Sequence, residues 1–162
     1  MINLLPYEII ENILDISSHL YGFKNDIEIT LEANPSSYHS KKFNKLKQLG
    51  INRLSIGVQS LNNKYLKFLG RLHNIKDVEI ALKDASSIFD NVSIDLIYAL
   101  HGQKLVNWIT ELETLLNTNN LQHLSLYQLT IEEGTKFFKD HKNGHIKLIE
   151  DDLAAEFYNV SN

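Results

Sequence analysis

Apolar and polar positions follow two rhythms along this chain. From Pro6 to Tyr21, Ile9, Ile10, Ile13, Leu14 and Ile16 recur at helical spacing with Glu8 and Glu11 between them, and Pro6 suits a first helical turn. Asp26–Glu32 then alternates polar and apolar, which predicts a strand, and Asn34-Pro35-Ser36-Ser37 breaks it. The rhythm becomes helical again from Ser40 to Leu49, with Gly50 at a C-cap position. The pair repeats downstream. Strands are predicted within Ile51–Val58, Val92–Leu96 and Leu121–Ile131. Helices are predicted over Asn62–Gly70, Asn74–Phe89 (capped by Asn74) and Leu105–Asn117, where Trp108, Leu112 and Leu115–Leu116 share one side. Gly134-Thr135 reads as a turn, and Lys147–Asn159 is weakly helical. Strands of about five residues alternating with helices of roughly ten to fifteen define an α/β protein built of βα units with a parallel sheet. The chain opens on a helix with no strand before it, so the first strands of such a fold are expected to be missing.

Length and composition narrow this picture. The 162 residues suffice for one domain with a sizeable core, yet fall short of the roughly 250 typical of a complete eight-stranded β/α barrel. A hydrophobic fraction of 43% and a net charge of -4 argue against disorder, and no basic excess calls for nucleic acid or an anionic membrane. No apolar run approaches the ~20 residues of a membrane span, and the N-terminus lacks the marks of a signal peptide, so the expected compartment is the cytoplasm. The decisive count is cysteine, which is zero. It removes disulfides, thiolate nucleophiles and any iron–sulfur cluster ligated by cysteines of this chain.

In parallel α/β proteins chemistry gathers where strands end. Here those ends carry Glu32-Ala-Asn34-Pro35, Gly57-Val-Gln59-Ser60, Asp95 within Ile-Asp-Leu-Ile-Tyr98, and Tyr127-Gln128-Leu-Thr130. Asp95 stands between Ile94 and Leu96, where a carboxylate needs a hydrogen-bonding partner. Taken alone, Asp95 reads as a structural acid, Glu32 as a solvated strand end and Gln59 as a loop-anchoring amide. Gathered at one rim they suit a polar small molecule. The seven histidines (His19, His39, His73, His101, His123, His141 and His145) show no HExxH pattern and are expected on the surface. No glycine-rich phosphate loop and no serine triad order is present.

The segments Ile29–Pro35 (ITLEANP), Asn52–Ser60 (NRLSIGVQS), Leu69–His73 (LGRLH), Ile94–Tyr98 (IDLIY) and Ser125–Thr135 (SLYQLTIEEGT) resemble the oxygen-independent coproporphyrinogen III oxidase family of radical S-adenosylmethionine (SAM) proteins. The last segment favours the HemW branch, the heme chaperones. The resemblance runs from about Leu4 to Thr135. It implies that residues 1–162 form a partial radical SAM core, a partial (β/α) barrel lacking its first strands, its N-terminal cluster-binding segment and the C-terminal domain. It implies SAM contacts at Glu32, Gln59, Arg71 and Asp95, where the family has the same residues. Arg71 is promoted by the resemblance alone.

The departures matter as much. The family's CxxxCxxC motif, whose thiolates hold a [4Fe-4S] cluster, has no counterpart here, so the cluster ligands are absent from this chain. The family's YGLPGQ reads Tyr98-Ala-Leu-His-Gly-Gln103, which loses a glycine and a proline. The expectation is a SAM-contacting but catalytically silent fragment, with a companion fragment as the partner that would carry the cluster motif. The alternative is a non-catalytic module that binds heme or a partner protein, with His101 or Tyr127 as candidate axial ligands that no spacing singles out. A small enzyme using Glu32 and Asp95 as a carboxylate pair is the third reading. The first strand, with Ile27, Ile29 and Leu31 on one face and no neighbour on its outer side, is expected to favour self-association.

Overall fold

The computed structural model describes residues 5–37, 40–117, 121 and 123–162. The predicted alternation is present: α1 (Tyr7–Tyr21), β1 (Thr30–Ala33), α2 (Ser40–Gln48), β2 (Arg53–Gln59), α3 (Asn63–Phe68), α4 (Ile75–Ile88), β3 (Asn91–Tyr98), α5 (Leu105–Leu116), β4 (His123–Gln128), α6 (Lys136–Lys142) and α7 (Asp151–Val160). The strands are parallel and lie in chain order, β1-β2-β3-β4, as right-handed βα units produce. Two compact units divide the chain: Met1–Asp95 with Asn120–Leu124, and Leu96–Asn119 with Ser125–Asn162.

In the first unit, β2 alternates strictly. Leu54, Ile56 and Val58 are fully buried, while Arg53, Ser55, Gly57 and Gln59 are half-buried on the other face. Burying each of those apolar side chains contributes roughly 1.5–3 kcal/mol. The core around them takes Phe43 and Leu46 from α2 and Val78, Ala81 and Ala85 from α4, and Phe43 meets Phe89 edge-on at 6.0 Å. Helix α4 starts as its sequence predicts. Asn74 accepts from the Lys76 and Asp77 amides and Asp77 reaches back to the Asn74 amide, a complete capping box.

The first strand is shorter than its alternation suggests, beginning at Thr30 rather than Asp26. Upstream of it Asn52 substitutes for a strand. Its side-chain amide accepts from the Ile29 N–H at 2.7 Å and donates to the Ile27 carbonyl at 2.7 Å, as a peptide group would. Ile27 and Ile29 are therefore half-buried and bonded, Leu31 is buried, and the edge left open by β1 is only four residues long.

The second unit is built on aromatic residues. Trp108 and Phe157 are completely buried, Tyr98 nearly so, and the Tyr98 ring lies 5.6 Å from Trp108 and 6.4 Å from Phe157. Of the side predicted for α5, Trp108, Leu112 and Leu115 are buried but Leu116 is exposed. Helix α6, hidden in the sequence behind a turn signal, starts at Thr135, whose hydroxyl accepts from the Phe138 amide at 3.1 Å. Between Tyr98 and Gln103 the backbone turns through Ala99 at φ 59°, a left-handed conformation that favours glycine. Ala99→Gly relieves about 1–2 kcal/mol of that strain, against about 0.5–1 kcal/mol of added unfolded-state entropy and part of a buried methyl. A net stabilisation of about 0.5 kcal/mol is expected, read as a higher urea midpoint at unchanged slope.

Candidate functional site

The polar face of the first unit, half-buried along β2 and exposed at Glu28 and Glu32, carries its side chains in rows. Nearest the strands' N-terminal ends, Arg53 reaches Glu28 at 2.9 Å through Nη1 and donates to the Ser93 hydroxyl at 3.1 Å through Nη2. This charged hydrogen bond to Arg53, with a second from Thr30, pulls the Glu28 carboxyl below its usual range. Glu28 is exposed, so the pair adds little to stability.

One step toward the C-terminal ends, Glu32 stands in register with Ser55, and the Ser55 hydroxyl donates to Asp95 at 3.0 and 3.2 Å from its two carboxylate oxygens. The apolar neighbours of Asp95 point away from it: Ile94 and Leu96 are fully buried on the opposite face, while Asp95 is half-buried. Its place on the polar face, and not a buried pocket among isoleucines, explains how the carboxylate is tolerated. Ser55 is a site residue that the sequence does not reveal, since a serine inside an alternating strand carries no signal of its own.

At the end of β2, Gln59 adopts φ 71°, an uncommon conformation for a residue with a side chain. Its amide folds back over Gly57, where an added Cβ would stand 2.7 Å from Nε2. Gly57 thus leaves the space that the Gln59 side chain occupies. Non-glycine residues held in sparsely populated backbone regions cluster at functional sites.

Arg71 lies in the loop after α3. It is half-buried, and its Nε is buried with no hydrogen-bond partner among the described residues. Burial pushes its pKa below the usual arginine value, so the charge is held at a cost that an anion would offset. Two residues on, His73 departs from the surface placement expected of the histidines. It is only 3% exposed, with Nδ1 3.1 Å from the Asn34 side-chain oxygen and Nε2 3.0 Å from the Val58 carbonyl. Burial lowers its pKa, against a raising contribution from Val58. His19, His123, His141 and His145 are exposed and His101 half-buried, and His39 lies outside the described residues.

The four sequence candidates thus fall in one unit. Glu32 and Asp95 flank Ser55, Gln59 lies beyond Gly57 on the same strand, and Arg71 stands two residues before His73, whose ring meets the Val58 carbonyl of that strand. Among the described residues no group of three or more His, Cys, Asp or Glu could hold a metal ion. In the second unit His101 accepts from the Lys147 amide through Nδ1 at 3.1 Å, and Tyr127 is exposed.

An open parallel sheet with polar strand ends defines a class of α/β scaffold, and comparison with known proteins gives it a family. Residues 3–115 match the Radical SAM superfamily, and the chain belongs to it. Its relatives place it in the HemW/HemN-like part of that superfamily. The mouse protein called Radical S-adenosyl methionine domain-containing protein 1, mitochondrial, is 43% identical over 134 residues, which is 82% of this chain and 30% of that protein. The heme chaperone HemW of Bacillus subtilis (strain 168) is 33% identical over 158 residues, 96% of this chain and 41% of that protein. Among solved structures, the radical SAM enzyme coproporphyrinogen III oxidase (HemN) of Escherichia coli superimposes with a TM-score of 0.79 at 24% identity, over 97% of this chain and 36% of that one. The chain spans about a third of the length of the relatives it matches. Membership excludes the reading as an unrelated carboxylate-pair enzyme. No described helix is long and apolar enough to cross a membrane.

Proposed function

We propose that this chain is a partial radical SAM core of the HemW type, which holds SAM at the rim formed by Glu32, Gln59, Arg71 and Asp95 and does not cleave it unaided. The observation that carries this reading is the half-buried Arg71, a guanidinium whose Nε, like that of Arg53, has no partner among the described residues, in a unit whose other rim groups are acceptors and an amide. SAM has matching chemistry. Its carboxylate suits the guanidinium fork, and its ammonium and ribose hydroxyls suit Glu32, Asp95 and the Gln59 amide.

The cluster does not fit. A [4Fe-4S] centre of this superfamily's kind needs thiolates, and the chain has none. With no thiolate to hold a cluster, the role of this chain's own residues is confined to binding and orienting the cofactor. A companion polypeptide bearing the cysteines would complete the chemistry, and the cytoplasm is the compartment we infer. Heme is a second ligand suggested by the relatives named heme chaperones, and the Nδ1 contact of His101 with the Lys147 backbone neither supplies nor blocks a ligand at Nε2. The described residues do not favour heme over SAM.

Gly57→Ala tests the rim with little disturbance to the fold. The new methyl collides only with the movable end of Gln59, so the side chain must swing away. SAM binding followed by calorimetry is expected to weaken about tenfold, the worth of roughly one good hydrogen bond. The unfolding midpoint should stay close to that of the wild type. Unchanged affinity would remove Gln59 from the site, and absence of SAM binding by the wild type would overturn the proposal.

A further inference from the structure

The imidazole of His73 touches both strand ends that carry rim residues. Nε2 meets the carbonyl of Val58, the residue before the left-handed Gln59, and Nδ1 meets the side-chain oxygen of Asn34, two residues beyond Glu32. Asn34 in turn orders the start of the next turn, its side-chain oxygen accepting from the Ser36 amide at 3.3 Å and the Ser36 hydroxyl at 3.2 Å. His73 itself is anchored on both sides in sequence. The Arg71 amide donates to Leu66 of α3 at 2.9 Å, and Asn74 begins the capping box of α4. A buried ring thus connects β1, β2 and the Arg71 loop at the level of the rim. We propose that His73 is a positioning residue that fixes Glu32, Gln59 and Arg71 relative to one another. The ligand side of this proposal rests on the SAM reading above.

A general packing role would make any apolar side chain of similar volume an adequate replacement. A positioning role makes the two ring nitrogens separately replaceable. The Val58 carbonyl can only accept, so a neutral ring carries its one N–H on Nε2, and its Nδ1 contact with the Asn34 side chain is not a second donation. The amide nitrogen of glutamine can occupy the Nε2 position and the side-chain amide of asparagine the Nδ1 position. His73→Gln should therefore keep the Val58 contact and release Asn34, while His73→Asn should do the reverse. Arg71 and Asp77 are the charged groups that act on this ring, and neither variant alters them.

The test is the amide spectrum of the ligand-free, isotopically labelled full chain. His73→Gln is expected to leave the Gln59 resonance near its wild-type position and to move those of Asn34 and Ser36. His73→Asn is expected to move Gln59 and spare the other two. Equal shifts at all three residues in both variants, or none, would overturn the proposal. Because a variant can lose its fold, a second measurement uses the wild type. A through-hydrogen-bond coupling between the His73 Nε2 and the Val58 carbonyl carbon is expected, and its absence would also overturn the proposal. With SAM added, His73→Leu should raise the dissociation constant about tenfold, whereas Glu28→Gln, on the remote row, should not. A wild type that ignores SAM would sink the ligand reading, while the ligand-free spectra still decide the role of His73.

Discussion

Trp108→Ala is expected to destabilise the second unit by about 3–5 kcal/mol, a large share of the stability of an ordinary domain. Trp108 is fully buried on α5, its ring lies 5.6 Å from Tyr98, and its Nε1–H donates to the Ser161 hydroxyl at 2.8 Å. Ser161 passes the bond on to the Phe157 carbonyl, so one indole ties α5 to the end of α7. Truncation removes the packing, opens a cavity and leaves the Ser161 hydroxyl short of one partner. Trp108→Phe separates these contributions. It keeps much of the volume and loses the hydrogen bond, for which about 1 kcal/mol is expected beyond the packing change. Urea unfolding followed by far-ultraviolet circular dichroism measures both variants without relying on the chain's one tryptophan. A loss below about 1 kcal/mol for Trp108→Ala would mean that α7 does not depend on this side chain.

The second large effect is on the ligand. Arg71→Ala is expected to raise the SAM dissociation constant about 10- to 100-fold, the range for loss of a charge-assisted hydrogen-bonding partner. The same change should leave the ligand-free chain at least as stable as the wild type. A half-buried guanidinium whose Nε has no partner is an uncompensated polar burial, and removing it relieves desolvation. Arg71→Lys should recover only part of the affinity, because an ammonium cannot present the planar fork. Binding lost with stability kept separates a functional arginine from a structural one. Calorimetric titration and a urea series on the same samples check both halves.

Much of this fold is legible in the sequence because its elements obey simple periodicities. The alternation of β2 and the Asn74 cap of α4 predict their structures to within a residue or two. What escapes depends on contacts between positions far apart in the chain. Asn52 in a loop looks like a turn residue, yet its amide completes the pairing of Ile27 and Ile29. Ser55 gains its meaning only from Asp95, 40 residues on. His73 follows an exposed leucine in a short loop and carries no sign of burial, but the ends of two strands converge on it. Helix α6 is concealed because Gly134-Thr135 signals a stop as well as a start, and only the Thr135 cap distinguishes them. Of the rim, Glu32, Gln59 and Asp95 can be chosen from strand ends, whereas Arg71 cannot, since nothing in its local sequence marks it as buried.

The central claim is that one unit of this chain forms a SAM rim without any cluster. Its most direct test is the amide and side-chain NMR spectrum of the full chain titrated with SAM under strictly iron-free conditions. The account predicts saturable shifts concentrated at Glu32, Gln59, Arg71 and Asp95, with the Arg71 Nε–H signal moving furthest and the Glu28–Arg53 row unmoved. A spectrum that does not respond to SAM, or one whose shifts spread elsewhere and spare Arg71, would contradict it.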